Sequence, residues 1–169
     1  QAKFKNIAPR EQQAMSFQSL MIPMIIGTTK DEGSVFVFTA YPTEMPKFIY
    51  QAVVFGFFRF AAPRVLKQYS VLSREQQLSP QPDYRLVLST IIGDYLFKCP
   101  TQLFASMANS ANASVYLYEF SLPTRTPGYP YCDGLACHTS ELPYVFNHLD
   151  IISAAYSYQE DSSDTRQDD

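Results

Sequence analysis

Histidine and cysteine are scarce in this chain, with two and three copies among 169 residues. No H-E-x-x-H segment, no paired Cys or His spacing of a structural zinc site and no glycine-rich phosphate loop occurs. We therefore expect no metal and no cofactor. The G-x-S-x-G pattern that carries a nucleophilic serine is also absent, so these residues hold no candidate for that nucleophile.

Positive charge is equally sparse. The formal net charge is −3, and the last residues, 159–169, hold five acids and one arginine, so the rest of the chain is close to neutral. Nucleic-acid-binding proteins carry a basic face that neutralises phosphates, so nucleic acid is not an expected partner. The segment 159–169 also lacks apolar side chains, which predicts a disordered acidic tail.

Long apolar runs are not evident either. No stretch approaches the roughly 20 apolar residues that cross a bilayer, so we expect no membrane span. The first residues, 1–6, are polar, lack a methionine and do not resemble a secretion signal. We expect that an upstream portion, with any targeting signal, is not included in this chain.

Apolar and aromatic side chains are abundant. The chain is 46% hydrophobic and 15% aromatic, which suits one globular domain with a substantial core. Twelve tyrosines and thirteen phenylalanines exceed what a minimal core needs. Some of them are expected to form an exposed apolar face that packs against a portion of the protein outside these residues.

Two apolar segments, 22–27 and 114–120, are predicted to be buried strands. The region between them predicts five helices, over 44–62, 64–72, 73–78, 83–97 and 101–109. Pro63 is expected to end or kink the first, and Asp83 is expected to cap the fourth. Pro100 makes the last two either one kinked helix or two consecutive helices. A loop over 123–130 and a short helix over 141–147 complete the prediction.

A polar motif follows each predicted strand. The first is G-T-T-K-D-E-G at 27–33, and the second is C-H-T-S-E-L-P-Y-V-F at 137–146. Loops at strand ends are where α/β folds place their sites, so an acid and a histidine from these motifs could meet there.

The acid could be Asp31 or Glu32, because spacing does not choose between them. A carboxylate at this position either orients a histidine or caps the following turn. Gly33 permits a sharp backbone turn in both cases.

An imidazole base must be His138 or His148. His138 follows a long loop and precedes a polar run, a suitable place for a side chain that reaches into a cleft. His148 lies among apolar and polar neighbours typical of an ordinary hydrogen-bonded histidine. Cys137 beside His138 does not favour a cysteine nucleophile, because sequence neighbours on a loop rarely point at each other.

Cys132 and Cys137 are five positions apart, and the residues leave open whether they form a disulfide or remain thiols. A disulfide would brace the segment that carries His138 and would indicate an oxidising compartment.

The two motifs together closely resemble the C-terminal half of the type B carboxylesterase family, the cholinesterase-like α/β-hydrolases. In that family a strand of the form I-P-x-I-I-G-x-x-x-D-E-G supplies a triad acid, and a C-H-x-x-E-L-P-Y-V-F segment supplies the triad histidine. The resemblance implies an α/β fold in which residues 1–158 form the last strands of an α/β-hydrolase sheet with a helical insertion, incomplete as given. It also implies Glu32, not Asp31, as the acid and His138 as the base.

The resemblance further implies the activity of a carboxylic ester hydrolase with a Ser-His-Glu triad, acting on a small-molecule carboxylic ester. The serine and the oxyanion hole lie upstream in such enzymes, so this chain alone is expected to be inactive without the missing N-terminal half. Phe36 is implied near the wall of the substrate gorge, with a core aromatic as the alternative. A cysteine in a Phe-x-Cys-Pro setting, here Cys99, pairs with a later cysteine in many members, but none follows Cys137.

Family members are often secreted or lumenal, so the extracellular space or the lumen of the endoplasmic reticulum is expected. The alternative to an enzyme is a non-catalytic, cholinesterase-like adhesion or binding protein. A free-standing binding module is not favoured, because two strands cannot readily bury a sheet.

Overall fold

The computed structural model of the chain describes residues 22–125 and 128–150. Two parallel strands, β1 at Met24–Thr29 and β2 at Val115–Phe120, pair in the register that sets Met24 opposite Val115. Both predicted strands are thus present, displaced by one or two residues at their ends. The prediction that they are buried is wrong for the described part of the chain, because β1 is buried only at Thr28 and Thr29 and β2 has no buried residue. The predicted tail at 159–169 lies outside the described residues.

Helices fill the crossover between the two strands, as parallel pairing requires of a long connection. In the described part of the chain they are α1 at Ser34–Ala40, α2 at Lys47–Phe58, α3 at Ala62–Gln68, α4 at Ser70–Leu78, α5 at Arg85–Gly93, α6 at Cys99–Ser110 and, after β2, α7 at Leu142–Val145. Single turns of 3₁₀-helix lie at Arg59–Ala61 and Pro130–Cys132. α1 was not predicted, because seven residues are too few for helical periodicity to show.

The apolar core lies within the helical insertion. α5 supplies four of its ten buried residues, because positions three and four apart on one face, among them Val87, Leu88 and Ile91, are all buried. Tyr50 and Val54 of α2 pack into the same cluster. Burying each such aliphatic side chain contributes about 2 kcal/mol, so this cluster holds the insertion together.

The first long helix of the insertion ends at Arg59, not at Pro63. Arg59 has φ 46°, in the left-handed region that stops an α-helix, and its N–H donates to the carbonyl of Phe55. Pro63 is instead the second residue of α3, where a missing N–H costs nothing. The predicted break at Pro63 is therefore wrong, and α3 follows a turn at Arg59 and contacts α2.

By length and composition alone, Lys47–Gln68 qualifies as a helical stretch able to cross a membrane, with 22 residues and a mean hydropathy of 1.2. This differs from the expectation that no run of that length is present. The turn at Arg59 divides the stretch into α2 and α3, so it is not one uninterrupted helix.

α5 continues into α6 through a π-helical turn at Asp94–Lys98. Pro100 is the second residue of α6, where its ring and missing N–H are tolerated. Of the two alternatives for this region, the structure is closer to one helix, because the backbone stays helical from Arg85 through the π-helical turn to Ser110.

A partly buried ion pair fixes the start of α5. Asp83 Oδ1 accepts the N–H of Arg85, the first residue of the helix, at 3.0 Å, as predicted of a capping residue, but from one residue before the N-cap position at Tyr84. The same oxygen also accepts the N–H of Met45 at 3.2 Å. The Arg85 guanidinium binds both oxygens of Asp83 and donates to the carbonyls of Tyr41 and Pro42. Burial by itself would raise the pKa of Asp83, but the hydrogen bonds from Arg85 prevail and hold that pKa below its usual range.

Candidate active site

The loops that follow β1 and β2 meet at the same edge of the sheet, because the two strands are parallel. Asp31 and Cys137 form an isolated parallel bridge between these loops. The Asp31 N–H donates to the carbonyl of Ala136 at 2.9 Å, and Asp31 Oδ2 accepts the N–H of Ala136 at 3.0 Å. Asp31 therefore joins the two loops through backbone groups.

Glu32 lies against His138. Its carboxylate is buried, with 4% of the residue exposed, and Oε1 accepts the N–H of Thr29 at 2.7 Å. Oε2 lies 2.5 Å from Nδ1 of His138. Because an ionised carboxylate only accepts hydrogen bonds, Nδ1 carries the imidazole proton and Nε2 is left as a proton acceptor. The structure thus brings together two of the residues singled out in the sequence.

The two histidines differ in their surroundings. The His138 side chain is 36% exposed beside a buried carboxylate, whereas the His148 side chain is 66% exposed and lies 3.9 Å from the carboxylate of Asp150. Only His138 has a partner that fixes its ring nitrogen, because the Asp150 contact is longer than a hydrogen bond.

Cys132 and Cys137 form a disulfide, with Cα atoms 5.9 Å apart, and both residues are fully buried. This decides the alternative that the sequence left open. It also removes Cys137 as a nucleophile, because a sulfur in a disulfide is not a thiolate. The bond braces the backbone immediately before His138, and Thr139 on the other side adopts φ 71°.

Cys99 is a free and exposed cysteine. Partial desolvation, followed by the charge of Asp94, raises the pKa of its thiol, so the thiolate is disfavoured there.

A glycine is needed at position 33 because a side chain there would clash with α5, and not because of the backbone conformation. Its φ of −76° is one that any residue adopts, so the backbone here makes no use of the freedom that glycine permits. A Cβ at this position would lie 2.0 Å from the carbonyl oxygen of Ser89 in α5. The loop that carries Glu32 therefore rests directly on the backbone of the helical insertion.

Two phenylalanine rings flank the imidazole. The Phe36 ring centroid is 5.3 Å from that of His138, the Phe97 centroid is 4.9 Å from it, and the two phenylalanines stack on each other at 5.7 Å. Phe36 is 43% exposed, which does not fit a buried core aromatic. Phe97 was not predicted at this site. It lies in the π-helical turn, a feature frequent at functional sites but not visible in the sequence.

Within residues 22–125 and 128–150, no group of three His, Cys, Asp or Glu side chains is arranged to hold a metal ion. A cavity of about 430 Å³ lies beside Arg85 and Phe38, away from His138. The geometry at the strand ends, and not this cavity, defines the candidate site, because only the former presents an oriented imidazole.

The family model described as the carboxylesterase family matches residues 4–166 of the chain. The chain belongs to the carboxylesterase family. The family implies an α/β-hydrolase fold, with which the parallel strand pair and its helical crossover agree.

Individual relatives of this carboxylesterase-family chain have different names. It is 34% identical over 134 residues to "Crystal protein" of Dictyostelium discoideum, covering 75% of this chain and 22% of the relative. It is 28% identical to the "cAMP-regulated D2 protein" of the same organism, covering 78% and 24%. It is 31% identical to "Para-nitrobenzyl esterase" of Bacillus subtilis (strain 168), covering 76% and 23%. The chain thus spans less than a quarter of the length of these relatives.

Proposed function

We propose that the protein is a carboxylic ester hydrolase, and that these residues supply the acid and the base of a Ser-His-Glu triad. The observation that carries the proposal is the 2.5 Å contact between Glu32 Oε2 and His138 Nδ1. The buried carboxylate is itself held by the N–H of Thr29, so it fixes both the orientation and the tautomer of the ring.

In the proposed mechanism, Nε2 of His138 takes the proton of a serine hydroxyl as that oxygen attacks the ester carbonyl. The imidazolium then gives this proton to the leaving alcohol, and an acyl-enzyme remains. A water molecule, deprotonated by the same nitrogen, hydrolyses the acyl-enzyme and restores the serine. Glu32 stabilises the imidazolium without taking its proton.

The serine and the oxyanion hole are proposed to come from a part of the protein outside these 169 residues. The relatives are more than four times as long as the stretch they share with this chain. Ile25, Tyr116 and Leu117 of the strand pair are 53 to 75% exposed, which suits packing against the rest of one α/β-hydrolase domain. The chain alone is proposed to be inactive, because a triad without its nucleophile loses several orders of magnitude in rate.

Phe36 and Phe97 are proposed to contact the apolar part of the ester. Their rings lie within 5.3 Å of the imidazole, and Phe36 is partly exposed. An apolar wall beside the base favours binding of an apolar ester group there and displaces water from the site.

The experiment is hydrolysis of a short-chain p-nitrophenyl ester by the full-length protein. His138→Ala and Glu32→Gln should each lower kcat by on the order of 10³-fold or more. His148→Ala is the matched control and should keep the wild-type rate, because that side chain is exposed and lies against Asp150.

A non-catalytic adhesion or binding protein is the second candidate, since two of the relatives bear names that state no enzymatic activity. An inert full-length protein, or a His138→Ala variant with the wild-type rate, would favour this candidate over the esterase.

We also propose that the protein resides in the extracellular space or the lumen of the endoplasmic reticulum. The buried Cys132–Cys137 disulfide supports this, because such bonds persist in oxidising compartments. Alkylation of protein extracted from cells without reductant, followed by peptide mass analysis, should find both cysteines unmodified. Quantitative alkylation of both would contradict the assignment.

A further inference from the structure

Two phenylalanines are exposed at the turn between α2 and α3. Phe60 is 101% exposed and Phe57 is 66% exposed, although both lie beside a well-packed core. Phe58, between them, turns inward and meets the Tyr95 ring edge-on at 5.0 Å. The turn is thus anchored through Phe58 while its neighbours are exposed. We call Phe57, Arg59, Phe60 and Arg64 the aromatic apex.

The charge along the stretch that contains the aromatic apex has one sign. The 22 residues of Lys47–Gln68 hold Lys47, Arg59, Arg64 and Lys67 and no acidic residue. Clustered cations among exposed aromatic rings are unusual for the centre of a protein interface, where charged residues are depleted. They are the combination that binds a bilayer with negatively charged head groups, since the rings enter the interface and the cations meet the phosphates.

The backbone decides how this stretch can meet such a surface. By length and composition alone it could cross a bilayer as one helix. Arg59, at φ 46°, interrupts the helix instead, and α3 contacts α2. Tyr50 and Val54 of α2 are buried in the core of the insertion, so the stretch does not traverse the membrane and meets it at the turn between α2 and α3.

We infer that the aromatic apex docks the protein onto an anionic lipid bilayer, with the rings of Phe57 and Phe60 inserted at the level of the head groups. The docking requires no catalysis and does not depend on the proposed function. It sets the helical insertion that carries Phe97 close to the membrane surface.

The test is co-sedimentation of the full-length protein with vesicles of phosphatidylcholine, with and without phosphatidylserine. The protein should bind the vesicles that contain phosphatidylserine and dissociate as salt is raised. The double variant Phe57→Ser/Phe60→Ser should lower the partition coefficient by on the order of tenfold or more. Arg64→Gln should lower it about fivefold, as loss of one cation near an anionic surface does.

Leu78→Ser is the matched control. Leu78 is 85% exposed at the end of α4, outside the aromatic apex, and this variant should bind vesicles like the wild type. All variants should keep the wild-type melting temperature, because the replaced side chains are exposed and make little contribution to the core.

Three outcomes would overturn the docking itself, and a fourth would overturn the part assigned to the two rings. The first is no binding to phosphatidylserine vesicles, and the second is equal binding to vesicles of phosphatidylcholine alone. The third is an apex covered by a second copy of the chain, seen as a dimer in size-exclusion chromatography that Phe57→Ser/Phe60→Ser dissociates. A double variant that binds as tightly as the wild type contradicts the role of the two rings.

Discussion

The strand-end site and the helical insertion are held together by different forces. At the strand ends, partly or fully buried polar groups from residues about a hundred positions apart bind one another, as in Glu32 with His138 and Asp31 with Ala136. In the insertion, apolar side chains of α2 and α5 pack in one cluster. Polar contacts depend on geometry within a few tenths of an ångström, whereas apolar packing tolerates exchange between side chains of similar volume. We therefore expect the first region to be sensitive in activity and the second in stability.

The two regions meet at Gly33. Its backbone approaches Ser89 and Gly93 of α5 so closely that no side chain fits between them. This contact fixes the loop that carries Glu32 relative to the insertion. Substitutions in the strand-end site, in the insertion and at the contact between them therefore test the comparison.

The largest effect is expected at the strand ends, where each of two neighbouring carboxylates is replaced by the corresponding amide. Glu32→Gln replaces the acceptor of the His138 N–H by an amide that no longer imposes the tautomer, and should lower kcat of the full-length protein by on the order of 10³-fold or more. Asp31→Asn is the matched variant. Its side-chain oxygen can still accept the N–H of Ala136, so it should change kcat less than about tenfold.

Steady-state kinetics on a soluble ester, with both melting temperatures recorded, checks this pair. Equal losses of activity in the two variants would contradict the assignment of Glu32, and not Asp31, as the acid that orients His138.

The next effect is expected at the joint between the regions. Gly33→Ala places a methyl group 2.0 Å from a backbone oxygen, which cannot move aside as a flexible side chain could, and should destabilise the protein by about 3 kcal/mol. Gly56→Ala, within α2, meets no atom within 4 Å and should stabilise it by about 0.5 to 1 kcal/mol through the helix propensity of alanine.

Denaturant unfolding of both variants gives these differences. A Gly33→Ala variant as stable as the wild type would show that the two regions are not in contact in the way described.

The smallest effect is expected in the insertion, at Asp83. Its pKa is lower in the folded protein than its ordinary value of 3.8, so the group stabilises the folded state above that value and the contribution is lost as pH falls through the folded pKa. Asp83→Asn should lower the free energy of unfolding by about 1 to 2 kcal/mol at neutral pH, since Arg85 loses its ionic partner.

As pH falls, the Asp83→Asn variant should lose less stability than the wild type does. Unfolding measured from pH 7 down to pH 3 compares the two proteins, and parallel curves would mean that Asp83 is not the group that titrates.

Much of the architecture was predictable from periodicity. The two strands, the cap by Asp83 and the helices around Pro100 follow from apolar spacing and from residues whose local preferences are strong. The break of the first long helix was misplaced, because proline is as acceptable at the start of a helix as it is disruptive inside one. Pro63 starts a helix here because the backbone turns at Arg59 before it. An arginine does not signal such a turn in the sequence.

The candidate site was predictable in part. The two motifs pointed to Glu32 and His138, but the residues alone did not distinguish Glu32 from Asp31. The Cys132–Cys137 bond was also an open alternative, since spacing permits a disulfide without requiring one. Phe97 was missed, because its approach to His138 results from a π-helical turn that has no signature in the sequence.

The sequence by itself determined the family, the two strand segments, the helical character of the insertion and the pair of motifs that carry an acid and a histidine. These depend on local composition and spacing, which a linear chain displays directly. Only the tertiary structure decided that Glu32 and not Asp31 meets His138, that Gly33 is needed for a close approach to α5, and that Phe57 and Phe60 are left outside the core. Those outcomes depend on the distance between residues remote in the chain, which the parallel pairing of β1 with β2 and the packing of the insertion set together.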